Sequence, residues 1–172
     1  GVGVKLYEQA ARRGVRVQCE MGGKNPVVVL EDADMTLAVE STAQGAFGST
    51  GQRCTATSRA VVVESVADEF VRRIGERAKA LRLGDGSDPE TEVGPLVNEK
   101  QLNDVLAGIE RGRSEGGTIA AGGERIDDDA YLLSPTVFEG VADDAFLSCE
   151  EVPEGRVWEC DPLGVAPAVV RP

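Results

Sequence analysis

The chain contains no histidine among its 172 residues, and this absence excludes several kinds of catalysis. Ser-His-Asp and Cys-His mechanisms need an imidazole as general base, and most enzymatic metal sites use at least one imidazole ligand. Cysteine is also scarce: the four cysteines stand at positions 19, 54, 149 and 160, with no Cys-x-x-Cys pair. We therefore expect no metal site and no disulfide framework, and we interpret the cysteines as reduced thiols of a cytoplasmic protein.

Long apolar runs are also lacking. The longest run, Val27 to Leu30, is far shorter than the roughly 18 residues that span a bilayer, so we expect no membrane partner. The first residues have no Met and no basic region followed by an apolar stretch, so we expect no signal peptide. We interpret the chain as a piece of a longer protein.

Positive charge is in short supply. The chain has 18 Lys and Arg against 30 Asp and Glu, a net charge of −12. A surface of this sign repels nucleic acid and anionic membranes, so neither is expected as a partner. Two interpretations of the acid excess remain open: adaptation to a high-salt cytoplasm, where screening removes self-repulsion, or an ordinary acidic protein encoded by GC-rich DNA.

The residues that are present predict an α/β fold, because helical and strand patterns alternate along the chain. With 41% apolar residues, a sizeable core is expected. The predicted helices are Val4 to Arg13, Met35 to Phe47 with Asp34 as cap, Val66 to Ala80, and one from Leu102 to near Gly116. The predicted strands are Val15 to Cys19, Val27 to Leu30, Arg59 to Glu64, Thr118 to Ala120, and Leu132 to Phe138. The last twenty residues carry four prolines and no clear period, so they are interpreted as an irregular tail or an interrupted domain.

Two side chains stand out as candidates for chemistry. Cys54 lies in a polar loop beside Arg53, which would favour the nucleophilic thiolate form; the alternative is an ordinary exposed or half-buried thiol. Glu20 ends a predicted strand just before two glycines, where a carboxylate either faces a cleft or is simply solvated. Both alternatives remain open on these facts.

Five short segments favour a functional role for both residues. They are Glu20 to Pro26 (EMGGKNP), Phe47 to Cys54 (FGSTGQRC), Leu83 to Val97 (LGDGSDPETEVGPLV), Ser134 to Val137 (SPTV) and Glu150 to Val152 (EEV). In this order they resemble the Glu-Leu-Gly-Gly-Lys, Phe-x-x-x-Gly-Gln-x-Cys, Gly-Asp/Asn-Pro-acid, Pro-Thr-Val and Glu-Glu-Ile-Phe-Gly-Pro motifs of the aldehyde dehydrogenase superfamily. The resemblance covers residues 1 to 152. Within the superfamily, the sequence around Cys54 and Glu20 is similar to that of α-ketoglutarate semialdehyde dehydrogenases.

This resemblance implies a role for each matching residue. Cys54 would be the nucleophile, and Glu20 would activate the water that releases the acid. Gly3, Met21 and Glu151 would contact the cofactor, NAD or NADP. Arg53 and Thr55 would line the pocket of a small-molecule aldehyde, although a solvated Arg53 is an equal alternative. The full-length protein would be a homo-oligomer.

The sequence departs from the family after Val152, where Pro153-Glu154-Gly155 replaces the expected Phe-Gly-Pro. The resemblance therefore divides the chain into residues 1–22 (the end of a dinucleotide-binding domain), 23–152 (an aldehyde dehydrogenase-like catalytic core) and 153–172 (a divergent tail). Three functions remain open: NAD(P)-dependent oxidation of an aldehyde, an inactive truncated or frameshifted remnant of such an enzyme, and an acidic scaffold on the same fold.

Overall fold

A computed structural model describes residues 2–21, 23–127 and 130–150, and the backbone alone of residues 157–163. Helices and strands are interspersed along these residues, which agrees with the predicted α/β fold. The helices are α1 (Val2–Arg12), α2 (Met35–Phe47), α3 (Glu64–Ala80), α4 (Glu99–Ser114) and α5 (Phe146–Cys149). The strands are β1 (Asn25–Val29), β2 (Thr57–Val63), β3 (Thr118–Ala121), β4 (Thr136–Glu139) and β5 (Val157–Leu163).

The five strands form one sheet in the order β1-β2-β5-β4-β3. The pairs β1–β2, β2–β5 and β4–β5 are parallel, and only β3 runs antiparallel to its neighbour β4 among the described strands. The sheet is thus mostly parallel, as is typical of the predicted α/β fold, with one antiparallel edge strand.

Helices cover the sheet on two faces. Successive side chains of a strand point to opposite faces, and the neighbours Val137 and Phe138 of β4 show this directly. Val137 packs into the apolar cluster of α2 and α3, whereas Phe138 packs into the cluster of α4. Leu147 of α5 belongs to this second cluster. The core is therefore split into two layers, one on each side of the sheet.

Helix boundaries follow the capping chemistry of the sequence. The carboxylate of Asp34 accepts hydrogen bonds from the backbone N–H groups of Thr36 at 2.9 Å and Leu37 at 3.1 Å, which begins α2 where predicted. Gly14, at φ 63°, ends the chain's first helix, and Val15 N–H closes this end by bonding to Ala10 O at 3.0 Å.

The prediction of a strand from Val15 to Cys19 is wrong for the described residues. This segment is extended but is not paired into a sheet, and Val15 is 58% exposed. A strand is stable only when neighbours satisfy its backbone groups, and no described strand lies beside this segment.

The predicted strand from Leu132 to Phe138 is shorter in the structure and begins at Thr136. Pro135 lacks a backbone N–H and cannot donate to a ladder. Before it, Leu133 pairs with Arg125 in an isolated bridge outside the strands.

The interpretation of the last twenty residues as irregular is also wrong for residues 157–163, because β5 lies there and occupies the centre of the sheet. Val157 and Trp158 favour strands, whereas Asp161 and Pro162 disfavour them, so side-chain preference gives no clear signal. The position of β5 follows from the backbone edges that β2 and β4 offer on its two sides. In the described part of the chain, no helix is long and apolar enough to cross a membrane.

Candidate active site

The loop between α2 and β2 carries Cys54 on two consecutive tight turns. In the first turn the backbone is left-handed, with φ of 53° at Ser49, 57° at Thr50 and 71° at Gly51. The turn is closed by Gln52 N–H, which donates to Ser49 O at 3.1 Å. These angles are those of a type I′ turn centred on Thr50 and Gly51. This turn reverses the chain directly after α2 and delivers Cys54 onto the surface.

Strain is concentrated in this first turn. A non-glycine residue with left-handed backbone costs about 1–3 kcal/mol and persists only where its surroundings hold it. Here Thr50 Oγ1 donates to Ser49 O at 2.7 Å, and Gln52 Nε2 donates to Thr50 Oγ1. The loop after α3 packs against the same turn, since a Cβ on Gly94 would lie 3.9 Å from Thr50 Cγ2. Such strain is typical of functional sites.

Cys54 lies within the second turn, where Ala56 N–H donates to Arg53 O at 2.9 Å. The Cys54 side chain is exposed and its thiol is free of any disulfide. Its carbonyl oxygen accepts a hydrogen bond from Asn25 Nδ2 at 2.9 Å, and the same nitrogen donates to Ala56 O at 3.1 Å. The first residue of β1 therefore holds the turn of the predicted nucleophile.

The guanidinium of Arg53 points back to the end of α2. Arg53 Nη2 donates to Gln44 O at 3.3 Å, and a Cβ on Gly48 would lie 3.3 Å from the same nitrogen. A cation at a helix C-terminus is stabilised by the helix dipole. Arg53 therefore contacts a helix end and is not merely solvated, while its neighbour Thr55 is exposed.

Glu20 lies on the exposed segment that leads into β1. Its carboxylate accepts a hydrogen bond from Gln18 Nε2. Glu20 precedes Asn25 by five residues, so their Cα atoms are at most about 18 Å apart. Asn25 therefore links the segment that carries Glu20, the predicted base, to the turn that carries Cys54.

Gly3 and Met21 are brought together in the structure. Gly3 is buried in the first turn of α1, where a Cβ would lie 2.6 Å from Met21 Cε. Cys19 Sγ lies 3.8 Å from Gly3 O. Gly3 therefore packs directly against the Met21 side chain, which brings α1 beside the segment that carries Glu20.

Glu151 lies outside the described residues, but the structure shows how the chain before it is held. Glu115, directly after α4, accepts a hydrogen bond at 2.6 Å from the backbone N–H of Phe146, the first residue of α5. Arg111 donates to the same carboxylate at 2.8 Å and stacks 4.2 Å from the Phe146 ring centre. The pKa of Glu115 lies below its ordinary value, first because of the Phe146 N–H and then because of Arg111. The contacts of Glu115 and Arg111 with Phe146 therefore fix the start of α5. Glu150 follows the last residue of this helix.

A second ionic group lies beside the loop after α3. Arg77 donates to Glu40 at 3.1 Å and to Glu92 at 2.9 Å, joining α2, α3 and this loop. The pKa of Glu92 is lowered, first by Arg77 and then by the backbone N–H of Arg82; that of Arg77 is raised, chiefly by Glu92. Arg77, Glu40 and Glu92 line an open groove of about 500 Å³. Its lining does not include Cys54 or Glu20. Across the described residues, no cluster of three or more Cys, Asp or Glu side chains is arranged to hold a metal.

Comparison with known proteins decides the family. The profile of the aldehyde dehydrogenase family matches residues 1–153. The chain belongs to the aldehyde dehydrogenase family. The resemblance predicted from the five sequence motifs is therefore confirmed.

Individual aldehyde dehydrogenases match most of the chain. It is 43% identical over 150 residues to betaine aldehyde dehydrogenase of Cereibacter sphaeroides, covering 87% of this chain and 31% of the relative. It is 37% identical over 155 residues to alpha-ketoglutaric semialdehyde dehydrogenase of Bacillus subtilis, covering 88% and 32%. An aldehyde dehydrogenase of Bacillus cereus, solved as an NAD+ complex, superposes with a TM-score of 0.89 at 39% identity, covering 96% of this chain and 33% of that one. The chain thus spans about a third of the length of these aldehyde dehydrogenases.

Asn25 is the residue of this site that sequence reasoning missed. In the sequence it stands between Lys24 and Pro26 and indicates only a turn. Its link to Cys54 spans 29 positions, so no local pattern predicts it.

Proposed function

We propose that this chain supplies the nucleophile and the general base for the NAD(P)-dependent oxidation of an aldehyde to a carboxylic acid. The observation that carries the proposal is the placement of Cys54: an exposed thiol on a turn that a strained loop delivers and Asn25 holds. Membership of the family supports it.

Each step assigns a task to a residue of this chain. The Cys54 sulfur attacks the carbonyl carbon of the aldehyde and forms a thiohemiacetal, while the backbone N–H of Cys54 stabilises the oxyanion. Loss of hydride from this adduct leaves a thioester on the same sulfur. Glu20 then takes a proton from water, which attacks the thioester and releases the acid and the thiol.

The residues present fit the nicotinamide end of a dinucleotide. Met21 is 62% exposed beside the buried Gly3, an uncovered apolar surface against which a flat ring can pack. We assign Gly3, Met21 and Glu151 to this contact. When bound, the cofactor accepts the hydride.

The first 22 residues are proposed to belong to a dinucleotide-binding domain, residues 23–152 to the catalytic domain, and residues 153–172 to a divergent tail. The apolar side chains of α1 and of the segment after it are largely exposed, as expected when a partner domain covers them in the longer protein. These side chains are Val2, Val4, Leu6, Tyr7 and Val15.

The substrate is proposed to be a small aldehyde that Thr55 contacts near Cys54. The relatives are named for betaine aldehyde and alpha-ketoglutaric semialdehyde. Because the Arg53 guanidinium bonds to the end of α2, we assign it to holding the turn and not to a substrate carboxylate. The free cysteines suit a reducing cytoplasm, and by family resemblance the full-length protein would be a homo-oligomer.

A second candidate function is a remnant that keeps the fold without turnover. The family match ends at residue 153, and the chain covers 31% of the first relative. If shifting the reading frame near codon 153 restores Phe-Gly-Pro and further family sequence, this candidate is favoured.

One experiment tests the proposed function in two parts. The chain is incubated with p-nitrophenyl acetate, and its acylation is compared in wild type, Cys54→Ala and the exposed control Cys149→Ala. NADH formation from a panel of aldehydes is measured beside it. We expect single acylation that requires Cys54 and not Cys149. We expect no NADH formation, because the chain spans only 31% of the length of the betaine aldehyde dehydrogenase relative, and a misplacement of about 1 Å at a reacting group costs up to about 10²-fold in rate.

Two other outcomes would each count against one of the candidate functions. Acylation that survives Cys54→Ala would contradict the assignment of the nucleophile. Robust NADH formation by the wild type would show that the chain turns over alone, against the remnant candidate.

A further inference from the structure

We propose that Asn25 is a positioning residue that holds the turn of Cys54, so that the backbone N–H of Cys54 stays directed at the oxygen of the bound acyl group. This inference rests on the proposed function, in which that N–H stabilises the oxyanion. The observation behind it is the pair of hydrogen bonds from Asn25 Nδ2 to Cys54 O at 2.9 Å and to Ala56 O at 3.1 Å. Both lengths lie in the normal range for N–H···O bonds.

The bonds of the turn fix the orientation of the Cys54 N–H. The N–H and C=O of a trans peptide point in opposite directions. Arg53 O accepts from Ala56 N–H at 2.9 Å, so the Cys54 N–H on the same peptide points away from Ala56. The next peptide is fixed by Asn25 through Cys54 O. The peptides on both sides of the Cys54 Cα are thus held, one by the turn and one by Asn25.

Asn25 is itself held by the sheet. It is the first residue of β1 and pairs with Thr57, the first residue of β2. The turn that carries Cys54 ends where β2 begins. The Asn25 amide therefore ties an exposed turn to the rigid β1–β2 pair. Precise catalytic geometry requires such support from rigid elements.

A comparison of the acylation and the alkylation of Cys54 distinguishes a positioning role of Asn25 from a purely structural one. Attack on p-nitrophenyl acetate creates an oxyanion, whereas attack on the methylene carbon of iodoacetamide creates none. A misplacement of about 1 Å at a reacting group costs up to about 10²-fold in rate. Loss of the Asn25 bonds should therefore slow acylation of Cys54 and leave its alkylation nearly unchanged.

The test compares four variants of the full chain with wild type. Asn25→Ala removes both donors, and Asn25→Leu removes them while keeping the shape and neutrality of the side chain. Asn103→Ala and Asn103→Leu make the same changes at an exposed position of α4. For each variant we measure the acylation rate of Cys54, the iodoacetamide rates of Cys54 and Cys149 by mass spectrometry, and the melting temperature.

The expected result is a selective loss. Both Asn25 variants should lose at least about tenfold in acylation, while the Cys54 alkylation rate, relative to Cys149, stays within about twofold of wild type. The Asn103 variants should match wild type in every rate.

Two outcomes would overturn the inference and leave the proposed function intact. Equal acylation in wild type and both Asn25 variants would refute it alone, with the proposed function intact. A parallel loss of acylation and alkylation in the Asn25 variants would show that Asn25 supports only the fold. By contrast, absence of Cys54-dependent acylation in wild type would overturn the proposed function and this inference together.

Discussion

The contact between Gly112 of α4 and Leu147 of α5 allows a size-swap experiment on the packing that leads to the Glu150-Glu151 pair. A Cβ on Gly112 would lie 2.3 Å from Leu147 Cδ1 and 3.0 Å from its Cγ. It would also lie 3.2 Å from Phe138 Cε1. Leu147 and Phe138 are both fully buried, so neither can turn away into solvent. Gly112→Ala therefore overpacks this cluster.

The energies of the two single variants follow from these distances. Overpacking costs about 1–3 kcal/mol, and the better helix propensity of Ala returns about 1 kcal/mol, so Gly112→Ala should destabilise by up to about 2 kcal/mol. Leu147→Ala should cost about 2–5 kcal/mol, because it leaves a cavity in a closed site. The same change removes both Leu147 atoms nearest to the new methyl group. The double variant should therefore be more stable than the sum of the singles by about 1–3 kcal/mol.

Urea unfolding followed by circular dichroism measures this coupling energy. The matched control pairs Gly112→Ala with Leu102→Ala, a fully buried leucine on the same helix and about 15 Å away along its axis. The control pair should be additive within about 0.5 kcal/mol. If the Gly112–Leu147 pair is equally additive, the contact between α4 and α5 is not as close as the structure gives it.

Three further predictions concern charge and backbone. With a net charge of −12, the melting temperature should rise clearly from 0.1 M to molar KCl, as the Debye length falls from about 10 to 3 Å; an unchanged melting temperature would refute the high-salt interpretation. Because the pKa values of Glu92 and Glu115 lie below their ordinary 4.5, their stabilisation is present above pH 4.5 and is lost as the pH falls through the lower folded values. Glu92→Gln and Glu115→Gln should each flatten the acid limb of a plot of melting temperature against pH, and an unchanged slope would contradict this. Gly140→Ala should cost about 1–2 kcal/mol for left-handed backbone alone. Gly122→Ala, at a similar φ of 74°, should cost clearly more in the same urea titration because its Cβ would lie 2.0 Å from Pro135 O; equal losses would exclude this close approach.

The parts of the fold that sequence predicted are those decided by local chemistry. The bounds of α2 were predictable because Asp34 caps its first turn and Gly48 follows its last residue. The end of α1 was predictable because Gly14 adopts the left-handed conformation that glycine favours. By contrast, β5 was not predictable, since its place depends on β2 and β4, which are distant in the sequence.

The candidate site was likewise predictable only in part. The loop of Cys54 was found from a contiguous motif, and the structure confirms that it is an exposed turn. The roles of Cys54 and Glu20 remain predictions. The strained backbone at Ser49 and Thr50 was not predictable, because neither residue type favours positive φ. Such conformations are imposed by contacts that only the folded chain makes.

The central position of β5 has a consequence for synthesis on the ribosome. The strands β1 to β4 all precede β5 in the chain, yet among the described strands β5 alone joins the β1–β2 pair to the β4–β3 pair by backbone hydrogen bonds. Until residue 163 leaves the exit tunnel, β2 and β4 each present an unpaired inner edge, and such edges are templates for aggregation. During synthesis the nascent chain therefore contains two separate pairs of strands before β5 joins them. Slow translation after β4 would prolong the exposure of the unpaired edges of β2 and β4.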